Sequence, residues 1–324
     1  MSRLLRNVLL LTGVASLGAY QLTRAYPLRS VPEAQPATSY QAAIEQIEAL
    51  ERSEDLLHNR CQPRLLTHGS KADRAIAFIH GYTNCPHQFS QLAPRFFEQG
   101  YNVYVARLPK HGLAERLSPH QGNLSAGALV SYTSQIVDML CGLGEQTTLL
   151  GFSLGGVLAA WAAQQRRELD HVVLVSPALA VKSVPIQQQL LYANLLTLLP
   201  DQFRWWDPQV RDAAIEPLHA YPRWSTRSVG AMLRLAKLVQ REAEHAPPAA
   251  KAITLITNPS DETVDNRGAE QLAAAWRKQG AKLRTCSFRQ DWKLIHDLID
   301  PEQPEQQVAR VYPQLLEWAG LHPA

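Results

Sequence analysis

The chain has 324 residues, is 46% hydrophobic and 19% charged, and carries a formal net charge of +3. That is the profile of a folded globular protein, long enough for one large domain with an insertion or for two small ones, and disorder is not its default. Its Lys and Arg occur in nothing longer than short pairs, so no electrostatic case for nucleic acid arises.

Residues 1–25 differ from the rest. Arg3 and Arg6 precede a mostly apolar run from Val8 to Tyr20, and polar sequence follows. The pattern is that of an export segment. The run is shorter than the ~20 residues a spanning helix needs, which favours a cleaved signal peptide, but no small-x-small cleavage site follows, so an uncleaved membrane anchor stays open. The expected location is exported, either periplasmic (extracytoplasmic) or membrane-anchored. A cytoplasmic protein with a buried N-terminal helix is the alternative.

Residues 26–59 read as a linker punctuated by Pro27, Pro32 and Pro36, then a helix through Ile44, Ile47 and Leu50. From residue 60 to 324 short β-branched runs alternate with helical periodicities. Strands are predicted at 75–80, 101–108, 147–152, 171–176, 252–257 and 282–288. Helices are predicted through Phe89, Leu92 and Phe96, through Leu129, Ile136 and Leu140, over 157–167 and 269–280, and through Val308, Leu315 and Trp318 with a bend at Pro313. Such alternation specifies an α/β fold, a mostly parallel central sheet with helices on both faces. It breaks between about residues 180 and 250, where Leu-rich helical patterns occur without a convincing strand. This segment reads as an inserted helical lid.

Of the four cysteines, Cys61, Cys85, Cys141 and Cys286, none shows paired C-x-x-C spacing, which argues against a structural zinc site. Cys141 falls on a helix pattern and Cys286 in a strand pattern. Cys61 and Cys85 fall in loops, and export would permit a bridge between them, with two free thiols as the other outcome.

In an open parallel sheet, functional groups gather at the carboxyl ends of strands. Ser153, in the sequence GFSLGG, follows one strand and opens a helix, with Gly151 and Gly155 placed as G-x-S-x-G. This is the strand–turn–helix context that lifts a nucleophilic hydroxyl from a sheet. Asp261, just past the strand at 252–257, is placed to orient an imidazole; it is preferred to Asp265, which is better placed to cap the next helix. His296 follows the last strand and precedes the final helix, where it can serve as the base. His80 and Gly81 end the first strong strand. The backbone N–H of Tyr82 there, with that of Leu154, can form an oxyanion hole, while His80 itself is read as a brace for its loop. Thr83 and Asn84 are either polar lining or turn formers.

Together HGYTNCP, RLPKHG, GFSLGG, PSDETV and IHDLID, in this order over most of residues 60–320, resemble the α/β-hydrolase fold serine hydrolases of the carboxylesterase and monoacylglycerol-lipase-like kind. The acid loop departs from the family's usual glycine-rich form. The resemblance implies acyl transfer from an ester through an acyl-enzyme, a small-molecule ester or lipid substrate, no metal and no organic cofactor. Acyltransferase, peptidase and inactive binding protein remain as alternatives on the same fold. Trp205 and Trp206, with the Leu-rich stretch before them, either wall an apolar acyl pocket or simply pack the insertion. An N-terminal anchor would add membrane association and suit lipid monoesters.

Overall fold

The computed structural model describes residues 24, 28, 32–52, 56–209, 211–212 and 216–321. The signal or anchor segment expected over residues 1–25 therefore lies outside the described residues, residue 24 apart. Among the described residues no helix is long and apolar enough to cross a membrane.

Seven strands form the central sheet: β1 (Arg64–Leu66), β2 (Ala72–Ile79), β3 (Tyr101–Ala106), β4 (Gly144–Phe152), β5 (His171–Val175), β8 (Ile253–Thr257) and β9 (Leu283–Ser287), in the order β1-β3-β2-β4-β5-β8-β9. Only β1 runs antiparallel, against β3; the other pairs are parallel. The central strands are continuous apolar runs because both faces are covered. Side chains alternate between two cores. Ala75, Ala77, Ile79, Leu149, Val172, Leu174 and Leu255 face one of them. There they meet α1 (Tyr40–Glu51), α3 (Ala126–Leu143), α4 (Leu154–Gln165) and α7 (Asn266–Lys278). Ile76, Phe78, Leu150, Phe152, Val173, Val175 and Ile256 face the other, against α2 (Ala93–Phe97) and α8 (Val308–Trp318). Helix α4, Ala-rich and buried nearly all round, sits directly under the strand from which it emerges.

Three departures from the sequence reading have simple causes. β1 escapes the pattern search because it is three residues long and half-buried. The helix predicted through Phe89, Leu92 and Phe96 is instead a 3-10 turn, Pro86–Phe89, followed by the five-residue α2; apolar spacing alone does not distinguish the two. The insertion between β5 and β8 is not wholly helical. Besides α5 (Gln189–Leu198) and α6 (Thr226–Ala243) it holds an antiparallel pair, β6 (Phe203–Trp205) and β7 (Arg223–Ser225). With Arg204 opposite Trp224 and each strand only three residues long, no alternating run betrays them. Helix α8 continues through Pro313.

Candidate active site

Ser153 stands at the junction of β4 and α4 with φ 52° and ψ −111°, a backbone region that costs an L-residue energy. The surroundings leave little freedom. Its N–H donates to the Val175 carbonyl at 3.0 Å, and its own carbonyl accepts from Val157 and Ala178 N–H, both at 3.1 Å. The flanking glycines are sterically required. A Cβ on Gly151 would lie 2.0 Å from the Gly155 carbonyl oxygen, and one on Gly155 would lie 2.0 Å from the Ile79 carbonyl oxygen. Strand β2 and the turn after β4 thus approach closer than any side chain allows.

His296 reaches Ser153 from the loop after β9. Its Nε2 is 2.9 Å from Ser153 Oγ and its Nδ1 is 2.7 Å from Asp261 Oδ2. An ionised carboxylate only accepts, so Nδ1–H is the donor to Asp261, and Nε2 is left to accept from the serine hydroxyl. Asp261 is fully buried at its side chain, and its other oxygen accepts from the N–H groups of Thr263 and Val264, both at 2.8 Å. Asp265 does something else: it caps α7, accepting from Arg267 N–H at 3.0 Å and pairing with the Arg267 guanidinium. Burial alone would raise the Asp261 carboxyl, but the charge and hydrogen bond of His296 outweigh it and hold it below its ordinary range. Burial likewise disfavours the charged imidazole, yet Asp261 reverses the balance and leaves the His296 pKa above its ordinary value.

The loop after β2 forms the facing wall. His80 is a brace: Nδ1 donates to the Gly81 carbonyl at 2.8 Å and Nε2 accepts from Leu108 N–H at 3.1 Å. Burial, then the neighbouring His111, push its pKa well below the ordinary histidine range. Gly81 N–H is held by Gln88 Oε1 at 2.9 Å. A Cβ on Gly81 would lie 3.1 Å from the Phe152 ring and 3.5 Å from Ser153 Cβ, so this loop packs on the turn itself. The N–H of Tyr82 has no hydrogen-bond acceptor among the described residues. Leu154 opens α4, and its N–H therefore lacks a partner within the helix.

Ser153, His296, Tyr82 and Thr83 border a cavity of about 520 Å³. The insertion supplies its apolar side through Tyr192, Trp205, Trp206, Trp224, Val229 and Met232. Trp206 is anchored to the facing loop by its indole N–H, which donates to Thr83 Oγ1 at 2.9 Å. Cys61 and Cys85 form a disulfide across 24 residues, while Cys141 and Cys286 are free.

Sequence reasoning misses most of the supporting residues and names only Asn84, as polar lining or a turn former. Asn258 donates through Nδ2 to the Leu294 and Ile295 carbonyls at 3.0 and 3.1 Å, fastening the Asp261 loop to the His296 loop. Gln88 bridges Gly81 N–H to Asp297 Oδ1, and Asn84 bridges Asp297 and Asp300. Only the adjacency of Asn258 to Asp261 and of Asp297 to His296 hints at these roles.

The profile of the family described as serine aminopeptidase, S33 (Hydrolase_4), matches residues 70–288. A pyrethroid hydrolase of Sphingobium wenxiniae is 33% identical over 89 residues, 28% of this chain and 30% of that protein. A thermostable monoacylglycerol lipase of a Bacillus species is 21% identical over 112 residues, 34% of this chain and 42% of that protein. The chain thus matches less than half the length of either curated relative. Among solved structures, the monoacylglycerol lipase of Paleococcus ferrophilus superposes with a TM-score of 0.60 at 21% identity, covering 79% of this chain and 97% of that one. At that identity the likeness shows the fold. With its central parallel sheet, its serine turn and a family profile spanning more than half its length, the chain belongs to the Hydrolase_4 family and has the α/β-hydrolase fold.

Proposed function

We propose that this protein hydrolyses carboxylic esters through Ser153, His296 and Asp261. One observation carries the reading: the continuous hydrogen-bond chain from Ser153 Oγ through both nitrogens of His296 to buried Asp261, at the edge of a largely apolar cavity. His296 Nε2 takes the hydroxyl proton as Ser153 Oγ attacks the ester carbonyl. The carbonyl oxygen becomes an anion facing the N–H groups of Tyr82 and Leu154, each such donor worth about 10²-fold or more in rate. His296 returns the proton to the departing alcohol, and an acyl-enzyme remains. Water, deprotonated by the same imidazole, then releases the acid. Asp261 stays ionised throughout and fixes the ring's tautomer.

The substrate class follows from the cavity. About 520 Å³ walled by Tyr192, Trp205, Trp206 and Met232 suits a short or medium acyl chain, including that of a monoacylglycerol, better than a long one. The insertion is the lid over this pocket. The disulfide supports a location outside the cytoplasm, where an N-terminal anchor would bring the site to a lipid surface. The family description favours a second reading, cleavage of an N-terminal amino acid from a peptide.

The test is turnover of a p-nitrophenyl ester series from acetate to palmitate, of monoacylglycerols, and of aminoacyl p-nitroanilides, with and without an acceptor alcohol. Ester turnover peaking at short or medium chains, lost in Ser153→Ala, supports the proposal. Anilide cleavage without ester turnover overturns it in favour of the peptidase, and acyl transfer to the alcohol outrunning hydrolysis makes the protein a transferase.

A further inference from the structure

A second cluster of chemically capable side chains lies behind the loop after β2, outside the cavity-lining residues. His87 Nε2 is 2.8 Å from Glu302 Oε1, and His219 Nδ1 is 3.6 Å from Glu302 Oε2. The donor atoms of the three residues all lie within 4.8 Å of one another. Four ligands at the usual 2.0–2.1 Å around a tetrahedral ion stand about 3.4 Å apart, so small side-chain movements would close this set on a cation.

The state of His219 separates the cluster from an ordinary surface ion pair. Its side chain is completely buried, and its Nε2 faces Asp300 Oδ2 at 2.8 Å. Asp300 is in turn fixed by Asn84 Nδ2 at 2.8 Å and by Glu302 N–H at 3.0 Å. A carboxylate accepts only, so Nε2 carries a proton, and in the neutral imidazole the lone pair is then on Nδ1. Among the described residues that Nδ1 has no hydrogen-bond partner. A buried ring nitrogen with its lone pair aimed at a carboxylate and a second imidazole is unfavourable as it stands. It is, however, the arrangement that a metal-binding histidine takes when a carboxylate orients it from behind.

We propose that His87, His219 and Glu302 bind a divalent transition metal of the zinc class, with Asp300 orienting His219 and solvent completing the coordination. The donor set, two imidazoles and a carboxylate, suits such an ion better than calcium or magnesium, which take mostly oxygen ligands. His87 and Glu302 are 21% and 38% exposed at their side chains, which leaves a route for the ion and room for water. Arg60 now holds Glu302 Oε2 at 2.5 Å. The carboxylate has further lone pairs for the metal.

The three ligands come from separate segments. His87 belongs to the 3-10 turn after the Tyr82 loop, His219 to the insertion between β5 and β8, and Glu302 to the chain between His296 and α8. A bound ion would tie the insertion to both loops that face Ser153. The disulfide already fastens the same corner, since Cys85 lies two residues before His87 and Cys61 Sγ is 3.3 Å from the His219 carbonyl oxygen. The sequence reading expects no metal because it searches for paired cysteines, whereas these ligands converge only in the folded chain.

The experiment is titration of the untagged full chain with Zn²⁺ alone, by calorimetry, alongside His87→Ala and Glu302→Gln. The proposal predicts one equivalent bound, and a melting temperature raised by a few degrees when Zn²⁺ exceeds its Kd about 100-fold. Each ligand variant should weaken binding by about 100-fold or more, and Asp300→Asn by about 10–100-fold. Because His87 and Glu302 are partly exposed, their variants should keep the wild-type circular dichroism spectrum, and the readout does not depend on ester turnover. Absence of binding to the wild type at micromolar Zn²⁺, or equal binding in both ligand variants, overturns the site. Substitution with Co²⁺ gives a further check, since thiolate charge-transfer bands would place the metal on Cys141 or Cys286 and overturn it as well.

Discussion

The turn at Ser153 makes a prediction about stability that is independent of substrate. At φ 52° and ψ −111° the residue occupies a region that costs a side-chain-bearing residue about 1–3 kcal/mol. Glycine escapes that cost, but its greater freedom in the unfolded chain returns about 0.4–1 kcal/mol. Ser153→Ala and Ser153→Gly lose the same hydroxyl and the same hydrogen bond to His296, so their difference isolates the backbone. Ser153→Gly should therefore be the more stable of the two by about 1 kcal/mol, within limits of about 0–2.5 kcal/mol set by those two terms. In melting temperature this is about 1–2 °C for each kcal/mol in a chain of this length. Urea unfolding of both variants, compared at equal slopes, gives the value. If Ser153→Ala is the more stable by about 0.5 kcal/mol or more, the strain assigned here from backbone geometry is wrong.

The two aspartates of the acid loop should separate cleanly. Asp261→Asn should cut ester turnover by up to about 10⁴-fold through loss of the correct imidazole tautomer, whereas Asp265→Asn should cost up to about 1 kcal/mol of stability from a weakened helix cap and leave kcat within a few-fold; the reverse pattern would exchange their roles. The pH profile has a definite sign. His296 must be neutral to act as base, and Asp261 raises its pKa, so protonated, inactive enzyme persists to higher pH. The rising limb of kcat/KM should then have its midpoint above the ordinary histidine value of about 6.5, and Asp261→Asn should move any residual limb downward; a wild-type midpoint below the ordinary value contradicts the charge balance. Removal of the disulfide by Cys61→Ser with Cys85→Ser opens a loop of 24 residues and should cost about 3 kcal/mol in unfolding free energy, measured by urea denaturation. No measurable loss would show that the bridge does not constrain the chain.

The parts of this molecule legible in sequence are those with a local signature. Continuous β-branched runs such as HVVLV, buried on both faces, announce the parallel strands, and the glycines around Ser153 announce a turn where β2 presses too closely for a side chain. Asp261 and His296 can be named because each follows a strand, and parallel strands deliver their ends to one edge. What stays hidden depends on partners far away in the chain. β6 and β7 are too short to show a period, and only their pairing defines them. Gln88, Asn84 and Asp297 look like ordinary loop polars until the fold joins them in one hydrogen-bond network. His219 is another case, because nothing near it in sequence says that one ring nitrogen meets Asp300 and the other has no hydrogen-bond partner among the described residues.

The central claim is that Ser153 is the nucleophile, activated by His296. Covalent labelling with a fluorophosphonate probe tests it most directly, because the probe reacts only with an activated serine hydroxyl and needs no knowledge of the natural ester. The account predicts that the wild-type chain takes up one probe at Ser153, that Ser153→Ala takes up none, and that His296→Ala labels slower by orders of magnitude. Undiminished labelling of Ser153→Ala would contradict it.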